Sequence, residues 1–225
     1  MVSTSLKTPI VYPEPDGAPM AESDATRDYL IYGVETLKLY YQNCQDVYVS
    51  GNLWLCYQKG VPDAVVSPDV FVVFGVENRQ RRSYKVWEEN GKTPDWILEV
   101  TSASTRHRDE QEKPDTYAKM GVTEYFQYDP TGDYLTPALK GRRLEGDRYV
   151  DLVPTRLEDG TLSFFSETLG LEMHLLTDGR LRFFNPQTRE YLRSPQEIER
   201  ERVRQQQRAD RLAARLQELG FDPED

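Results

Sequence analysis

Cysteine and histidine are scarce in this chain of 225 residues, which contains two of each. Cys44 and Cys56 do not form a CxxC motif, so the sequence indicates neither a disulfide framework nor a zinc site. His107 and His174 are far apart in the sequence, and two isolated histidines make a poor metal site. The scarcity of both residue types therefore excludes a disulfide-stapled scaffold and gives no support to a zinc centre.

Long apolar runs and positive charge are also in short supply. No stretch approaches the roughly 18 apolar residues of a membrane span, and the first segment, MVSTSLKTPIVYPEPDGAP, lacks the apolar run of a signal peptide. We therefore expect a cytoplasmic protein with no membrane partner. Lys and Arg number 28 against 38 Asp and Glu, a net charge of -10. This balance excludes nucleic-acid binding by a bulk basic surface but leaves a local basic cleft open.

The remaining composition is that of a globular protein, with 38% apolar and 11% aromatic residues. Its length suits one domain with tails, or at most two small domains. Residues 1–24 are rich in Pro, Ser and Asp, which predicts a flexible N-terminal arm. We expect the folded domain over residues 25–192, and a polar C-terminal helix and tail over residues 193–225.

Strand-like runs follow a first helical segment. Residues 46–58, 64–75, 95–102 and 123–130 are rich in β-branched and aromatic residues, and Gly121 suits the end of a helix before the last of them. Pro114 is tolerated only in a first helical turn, so that helix is expected to begin nearer Lys113 than Asp109. Two later segments, starting at Leu139 and Leu171, have the turn pattern of hairpins. The order predicts an α/β fold, a mixed sheet flanked by helices with an antiparallel hairpin extension and a C-terminal helix.

The C-terminal segment is dominated by Arg, Gln and Glu. Its heptad seam would consist of Ile198, Arg202, Gln205, Ala209, Leu212, Leu216 and Leu219. Only the last turns of this seam are apolar enough for a convincing coiled-coil contact. The pattern therefore fits two arrangements, a solvated helix and a helix that contributes to a homodimer.

A carboxylate interrupts one apolar strand. In PDWILEVTSAST, Glu99 lies between Leu98 and Val100, where an unpaired charge costs several kcal/mol to bury. Side chains alternate along a strand, so Glu99 points with Ile97 and Thr101. Asp69 lies at the start of another apolar strand, in SPDVFVVF, and two such carboxylates on adjacent strands would provide oxygen ligands for Mg²⁺.

Each of these acids also has a purely structural interpretation. Asp69 follows Pro68 and fits a turn that leads into a strand. Glu99 fits a buried ion pair with a core arginine.

The segments SPDVFVVF and PDWILEVTSASTRHRDEQEKPDTYAKMGVTEYFQYDP resemble the Uma2 family of endonucleases, also called DUF820, over about residues 27 to 180. This family is similar in fold to the PD-(D/E)xK restriction endonucleases. The resemblance implies a metal-dependent endonuclease that hydrolyses DNA, with Mg²⁺ or Mn²⁺ as cofactor. Thr101 departs from the wider motif, which has lysine at that position.

The resemblance also assigns roles to residues. Asp69, Glu99 and Lys113 are implied as the catalytic residues, with Lys113 replacing the lysine that is missing at Thr101. Asp69, Glu99 and the Val100 carbonyl are implied as metal ligands. Glu35, on the first helix, is a candidate for a further acid, and a solvated helix face is its structural alternative.

Residues around this motif have weaker assignments. Arg106, Arg108 and Lys119 fit either phosphate contacts or an ordinary charged loop. Ser102, Ser104 and Thr105 fit helix capping or turn formation better than nucleophilic catalysis, because the sequence specifies no histidine base beside them. Thr101 and the acidic net charge leave one alternative function, a catalytically silent nuclease fold that serves as a binding or regulatory module.

Overall fold

A computed structural model of the chain describes residues 24–102 and 107–218, except for the side chains of residues 108, 216 and 217. The chain divides into two compact units, with the boundary between Leu192 and Arg193. Residues 1–23 of the expected N-terminal arm lie outside the described residues, and Asp24 is the first residue of a helix.

The described elements alternate between helices and short strands. The helices are α1 (Asp24–Tyr40), α2 (Lys113–Met120) and α3 (Pro195–Glu218), with a 3-10 turn at Val86–Glu88 and a π turn at Arg108–Glu112. The strands are β1 (Val47–Ser50), β2 (Leu55–Cys56), β3 (Val65–Val66), β4 (Val70–Phe74), β5 (Tyr84–Lys85), β6 (Trp96–Val100), β7 (Glu124–Tyr128), β8 (Leu139–Glu145), β9 (Arg148–Asp151), β10 (Thr155–Arg156), β11 (Leu162–Ser166), β12 (Leu171–Leu175), β13 (Leu181–Asn185) and β14 (Glu190–Tyr191).

A six-stranded mixed sheet forms the centre of the first unit. Its strand order is β1-β4-β6-β7-β8-β9, and β6 and β7 are parallel while the other neighbours are antiparallel. The parallel pair is joined through α2, as expected for a crossover connection. A five-stranded antiparallel sheet, β10 to β14, and a small sheet of order β3-β2-β5 accompany it. The α/β class and the antiparallel hairpin extension predicted from the sequence are confirmed.

The two faces of the six-stranded sheet pack against different elements. One face, with Trp96, Leu98 and Val100, packs with α1 and the five-stranded sheet in one apolar cluster. The opposite face, with Ile97, packs with Tyr117 of α2 and with the small sheet in a second cluster. Alternation along β6 therefore separates its residues between two cores, as the sequence predicted.

The helix α2 and its entry segment follow the sequence closely. Lys113 is its first residue, Pro114 lies in its first turn, and Gly121 ends it in a left-handed conformation with φ of 78°. The preceding residues Arg108–Glu112 form a π turn, a widened turn that often occurs at functional sites.

Two of the predicted strands are wrong in their extent. Residues 46–58 were expected to form one strand, but they form β1 and β2 in different sheets. Residues 64–75 likewise divide into β3 and β4, with Ser67 to Asp69 between them. Gly51 ends β1 because the chain there lies against the backbone of Asp69, and Asn52 N–H donates to the Pro68 carbonyl at 2.8 Å. A contact between distant segments, rather than local propensity, ends these strands.

Gly51→Ala should distort the backbone at Asp69. A Cβ at position 51 would overlap the Asp69 carbonyl oxygen, and backbone atoms cannot move aside as the end of a flexible side chain can. We expect a loss of about 1–3 kcal/mol in the free energy of unfolding, measured by urea denaturation. Gly146→Ala is the control, because its added Cβ meets nothing within 4 Å and its φ of +64° tests left-handed strain alone. A Gly51→Ala variant as stable as the parent would contradict the steric explanation.

The second unit contains α3, which begins with a complete capping box. Glu197 N–H donates to Ser194 Oγ at 3.2 Å, and Ser194 N–H donates to Glu197 Oε2 at 2.8 Å. The apolar residues of its described part, Ile198, Val203 and Leu212, are exposed. Leu219 of the predicted seam lies outside the described residues, as does the side chain of Leu216. None of the helices in the described ranges is long and apolar enough to cross a membrane.

A chain that ends at Ser194 should keep the fold of the first unit. We expect any self-association through α3 to be weak, because arginine and glutamine occupy the middle of its seam. Multi-angle light scattering of the full-length and shortened chains measures the effect on mass. A shortened chain that is monomeric where the full-length chain is a stable dimer at micromolar concentration would contradict this expectation.

Candidate active site

Asp69 and Glu99 lie side by side on one face of the six-stranded sheet. Val70 pairs with Leu98 in the antiparallel register of β4 and β6. Asp69, which precedes Val70, is therefore the neighbour of Glu99, which follows Leu98. The Asp69 N–H lies 3.4 Å from Glu99 Oε2, and the Val100 N–H donates to Asp69 Oδ2 at 2.8 Å. The structure therefore brings together the two carboxylates that the sequence singled out.

Glu99 is fully buried and makes contacts with both of its carboxylate oxygens. Oε1 accepts a hydrogen bond of 2.5 Å from the Tyr117 hydroxyl, and Oε2 lies 2.9 Å from Lys113 Nζ. The sequence left open whether Glu99 is paired with a core arginine. The cation beside it is a lysine from α2, and the carboxylate stays next to a second acid.

Lys113 connects this pair to a third acid. Its ammonium lies 2.7 Å from Oδ1 of the fully buried Asp109 on the π turn, in addition to its contact with Glu99. Burial by itself lowers the pKa of Lys113, but the charges of Glu99 and Asp109 outweigh it and raise the pKa above its ordinary value. The two carboxylates therefore favour the ammonium form of this side chain, which can donate hydrogen bonds and stabilise negative charge.

The environment of Asp69 disfavours its charged form. Burial and the neighbouring charge of Glu99 raise the pKa of Asp69 well above its usual value, although Lys113 and the Val100 N–H act in the opposite direction. Two adjacent carboxylates repel each other unless a proton or a cation lies between them. The pair is thus electrostatically prepared for a positive ligand.

Two further polar side chains lie on the same face. Thr101 follows Glu99 by two residues, and Gln127 of β7 pairs with Glu99 across the parallel register. Both residues are 1% exposed. Within residues 24–102 and 107–218, the Thr101 hydroxyl and both amide atoms of Gln127 have no hydrogen-bond partner. Buried polar atoms of this kind indicate a place for water or ligand atoms.

The donor set fits a hard divalent cation. Mg²⁺ binds oxygen and commonly uses one or two carboxylates while it keeps several waters. Asp69 and Glu99 match this requirement, and the Val100 carbonyl faces the same neighbouring strand as the Val100 N–H that contacts Asp69. Among the described residues, no group of three or more His, Cys, Asp or Glu is arranged to hold a metal ion. Any ion here would rely on two carboxylates, main-chain oxygen and water.

Other residues highlighted by the sequence lie elsewhere. Glu35 forms an ion pair of 3.3 Å with Lys38 on α1, which packs against the opposite face of the sheet from Glu99. Lys119 is exposed near the end of α2, and Ser102 is partly buried just after β6. His107 is exposed, and His174 contacts Glu172 at 2.7 Å in the five-stranded sheet. Arg106, Ser104, Thr105 and the side chain of Arg108 lie outside the described residues.

The sequence interpretation missed two groups that contact the pair directly or through Lys113, namely Tyr117 and Asp109. Both are spaced four residues from Lys113, and residues at i and i+4 lie on one helix face. This spacing was a signal for a functional helix face. Pro114 obscured the signal, because it indicated that the helix begins near Lys113 and that Asp109 lies outside it.

Asp69→Asn should change the pH dependence of stability in the presence of a chelator. A carboxyl whose pKa is raised in the folded state contributes stability below its unfolded pKa, and that contribution is lost as pH rises through the folded pKa. We expect the stability of Asp69→Asn to rise relative to the parent as the pH increases above the unfolded pKa of about 4. Thermal melts at constant ionic strength measure this difference. A difference that does not vary with pH would contradict the raised pKa.

Two comparisons with known proteins give a match for this chain. A family model described as "Uma2: Putative restriction endonuclease" matches residues 33–207, more than half of the chain. The fold is similar to the crystal structure of "a putative nuclease belonging to DUF820" from Anabaena variabilis, which is 14% identical to this chain. That match covers 61% of this chain and 74% of the other, with a TM-score of 0.44. A comparison with curated proteins gives no match.

Proposed function

The chain belongs to the Uma2 family, and on that premise we propose that it is a metal-dependent endonuclease that hydrolyses phosphodiester bonds of DNA. The observation that carries the proposal is the contact network of Asp69, Glu99 and Lys113 on one face of the sheet. Two acids that can hold a metal ion, together with one ammonium, can supply the activated water and the charge stabilisation that phosphodiester hydrolysis needs.

We assign the metal-binding role to Asp69, Glu99 and the Val100 carbonyl. Oxygen ligands on two adjacent strands support Mg²⁺ or Mn²⁺ as the cofactor. When bound, such an ion lowers the pKa of a coordinated water and offsets the charge of the scissile phosphate. The raised pKa of Asp69, which follows from burial and from the charge of Glu99, supports this assignment, because a cation would stabilise the charged form of the carboxylate.

Lys113 is assigned to charge stabilisation. Its pKa is raised by Glu99 and Asp109, so it suits donation to the phosphate or to the attacking water rather than removal of a proton from that water. Tyr117 and Asp109 position the two charged groups: Tyr117 fixes Oε1 of Glu99, and Asp109 anchors the ammonium. In this chain the ammonium beside the second acid comes from α2, since Thr101 occupies the usual lysine position.

Incubation of the purified protein with supercoiled, linear and single-stranded DNA tests the proposal. Each substrate is incubated with Mg²⁺, with Mn²⁺ and with chelator, and products are separated on gels. We expect cleavage of at least one DNA form that depends on the metal and stops in chelator. If the protein cuts none of them but binds DNA, the catalytically silent binding module becomes the better description.

A further inference from the structure

We propose that Gln127 and Lys140 form a second phosphate subsite, which binds a phosphate of the nucleic-acid strand next to the scissile one. The inference rests on the proposed function and extends it from the carboxylate pair to the neighbouring strands β7 and β8. It assigns binding roles to two residues, a buried amide and a cation at the end of one polar row.

The row follows from the strand register. Glu99 pairs with Gln127 across β6 and β7, and Gln127 pairs with Lys140 across β7 and β8. Paired residues project to the same face, and Asp69, directly before β4, lies next to Glu99. Four polar residues from four adjacent strands therefore cross the sheet in one line, with acids at one end and a lysine at the other. Adjacent strands are about 4.8 Å apart, so Lys140 lies about 10 Å from Glu99 along the row.

Gln127 is the buried element of the row. It is 1% exposed, and both its amide oxygen and its amide nitrogen have no hydrogen-bond partner among the described residues. A buried amide without partners is unfavourable, and natural proteins retain such groups where a ligand or a water completes them. The carboxylate oxygens of Glu99 contact Tyr117, Lys113 and the Asp69 N–H. Glu99 therefore does not act as the hydrogen-bond partner of the Gln127 amide.

Lys140 is the charged element of the row. It is partly buried, and its side chain forms no ion pair and no hydrogen bond with the residues that the structure describes. By contrast, Lys113 forms ion pairs with Glu99 and Asp109. A lysine without an acidic partner, in a chain with a net charge of -10, is suited to an anionic ligand.

The charge of the site favours such a cation. Asp69, Glu99 and Asp109 are three acids around the single ammonium of Lys113. A divalent ion held by Asp69 and Glu99 would bring this cluster only to about neutrality, so the cluster leaves no surplus positive charge for a second phosphate. The ammonium of Lys140 at the far end of the row supplies that charge, and the Gln127 amide nitrogen between them can donate to a phosphate oxygen.

Lys140→Gln is the first test, with DNA binding as the readout rather than cleavage. Affinity for a DNA duplex is measured by fluorescence anisotropy over a range of NaCl concentrations, with Ca²⁺ in place of Mg²⁺ and gels to verify intact DNA. Loss of one phosphate contact should reduce the slope of log affinity against log salt by about one, and affinity by about tenfold at about 0.1 M NaCl. Lys38→Gln is the matched control, since it removes the same charge from α1 on the opposite face.

Gln127→Met is the second test, because methionine preserves the length of the side chain and removes the unpaired amide. Its melting temperature in chelator should equal or exceed that of the parent, while its DNA affinity should fall about threefold to tenfold. The salt slope should stay the same because the amide is neutral. Thr36→Val is the matched control: it removes a buried hydroxyl that has no partner among the described residues, and it lies on α1, away from the row. DNA affinity of Thr36→Val should equal that of the parent.

The outcomes separate this inference from the proposed function. A parent protein that binds DNA, with Lys140→Gln showing the same salt slope as Lys38→Gln, overturns the subsite and leaves the nuclease proposal intact. Gln127→Met with unchanged DNA affinity also overturns the assignment of the amide. A parent that neither binds DNA in Ca²⁺ nor gains melting temperature in Mg²⁺ overturns the proposed function and this inference together.

Discussion

Glu99→Gln is expected to lose cleavage by several orders of magnitude and to lose the rise in melting temperature that Mg²⁺ gives the parent. A ligand that binds only the folded state stabilises it by mass action, and removal of one of two carboxylate ligands removes most of that binding. The amide keeps the shape of the side chain, and its single oxygen can accept a hydrogen bond from Tyr117 or from Lys113 but not from both. Thermal melts with Mg²⁺ and with chelator, together with the cleavage assay, measure both effects.

The contacts of Glu99 also determine how stable the Glu99→Gln variant is in chelator. The substitution weakens the contact with Lys113, but Asp109 still holds the ammonium at 2.7 Å, and the repulsion between Glu99 and Asp69 disappears. We therefore expect a loss of only about 1–2 kcal/mol in the free energy of unfolding, less than for an ion pair that leaves a stranded charge.

Glu124→Gln is the matched control for this variant. Glu124 is also a fully buried glutamate in an ion pair, at 3.0 Å from Arg143, but it faces the other core of the sheet, with Phe126 and Tyr128. It should destabilise the fold while it retains the response to Mg²⁺. A Glu99→Gln variant that still responds to Mg²⁺ as Glu124→Gln does would refute the role of Glu99 as a metal ligand.

Lys113→Met is expected to produce the largest loss of stability and to abolish cleavage by a different route. The substitution leaves Glu99 and Asp109 buried without the ammonium that contacts both of them. Breaking a buried pair in this way costs about 3–5 kcal/mol. Urea denaturation in chelator at neutral pH measures the loss.

The ion and pH responses of Lys113→Met distinguish a charge effect from a packing effect. The remaining carboxylates attract a divalent cation more strongly, so Mg²⁺ should raise the melting temperature at least as much as in the parent, although cleavage is absent. Lower pH should restore part of the lost stability, because protonation removes the uncompensated negative charges. Lys119→Met, an exposed position on the same helix, is the control and should differ little from the parent. A deficit in Lys113→Met that is independent of both pH and Mg²⁺ would indicate lost packing only.

The two variants together separate metal binding from charge stabilisation. Glu99→Gln should lose the response to Mg²⁺ with a modest loss of stability, and Lys113→Met should keep the response with a large loss. A single structural role for the cluster would make both variants behave alike. The same cleavage assay applied to both then reports whether the two roles are required in one reaction.

The sequence by itself determined the local features of this protein. Alternation along Trp96–Val100 placed Glu99 on the opposite face from its apolar neighbours, and Gly121 correctly marked the end of α2. The hairpins β8–β9 and β12–β13 followed from their turn residues. These features depend on backbone periodicity and on residues that are close in the chain, and such information is readable without a structure. The ordered motif around Glu99 was sufficient for the family.

Only the tertiary structure decided how distant segments meet at the site. The close approach at Gly51 ended β1, α2 brought Lys113 into contact with Glu99, and the register of β6, β7 and β8 aligned Gln127 and Lys140 with the acids. Each of these depends on contacts between segments that are far apart in sequence. A shift of one residue in register would move a side chain to the other face, and local periodicity does not specify that register across strands. The sequence therefore supplied the acids, and the packing of the sheet and of α2 decided which groups surround them.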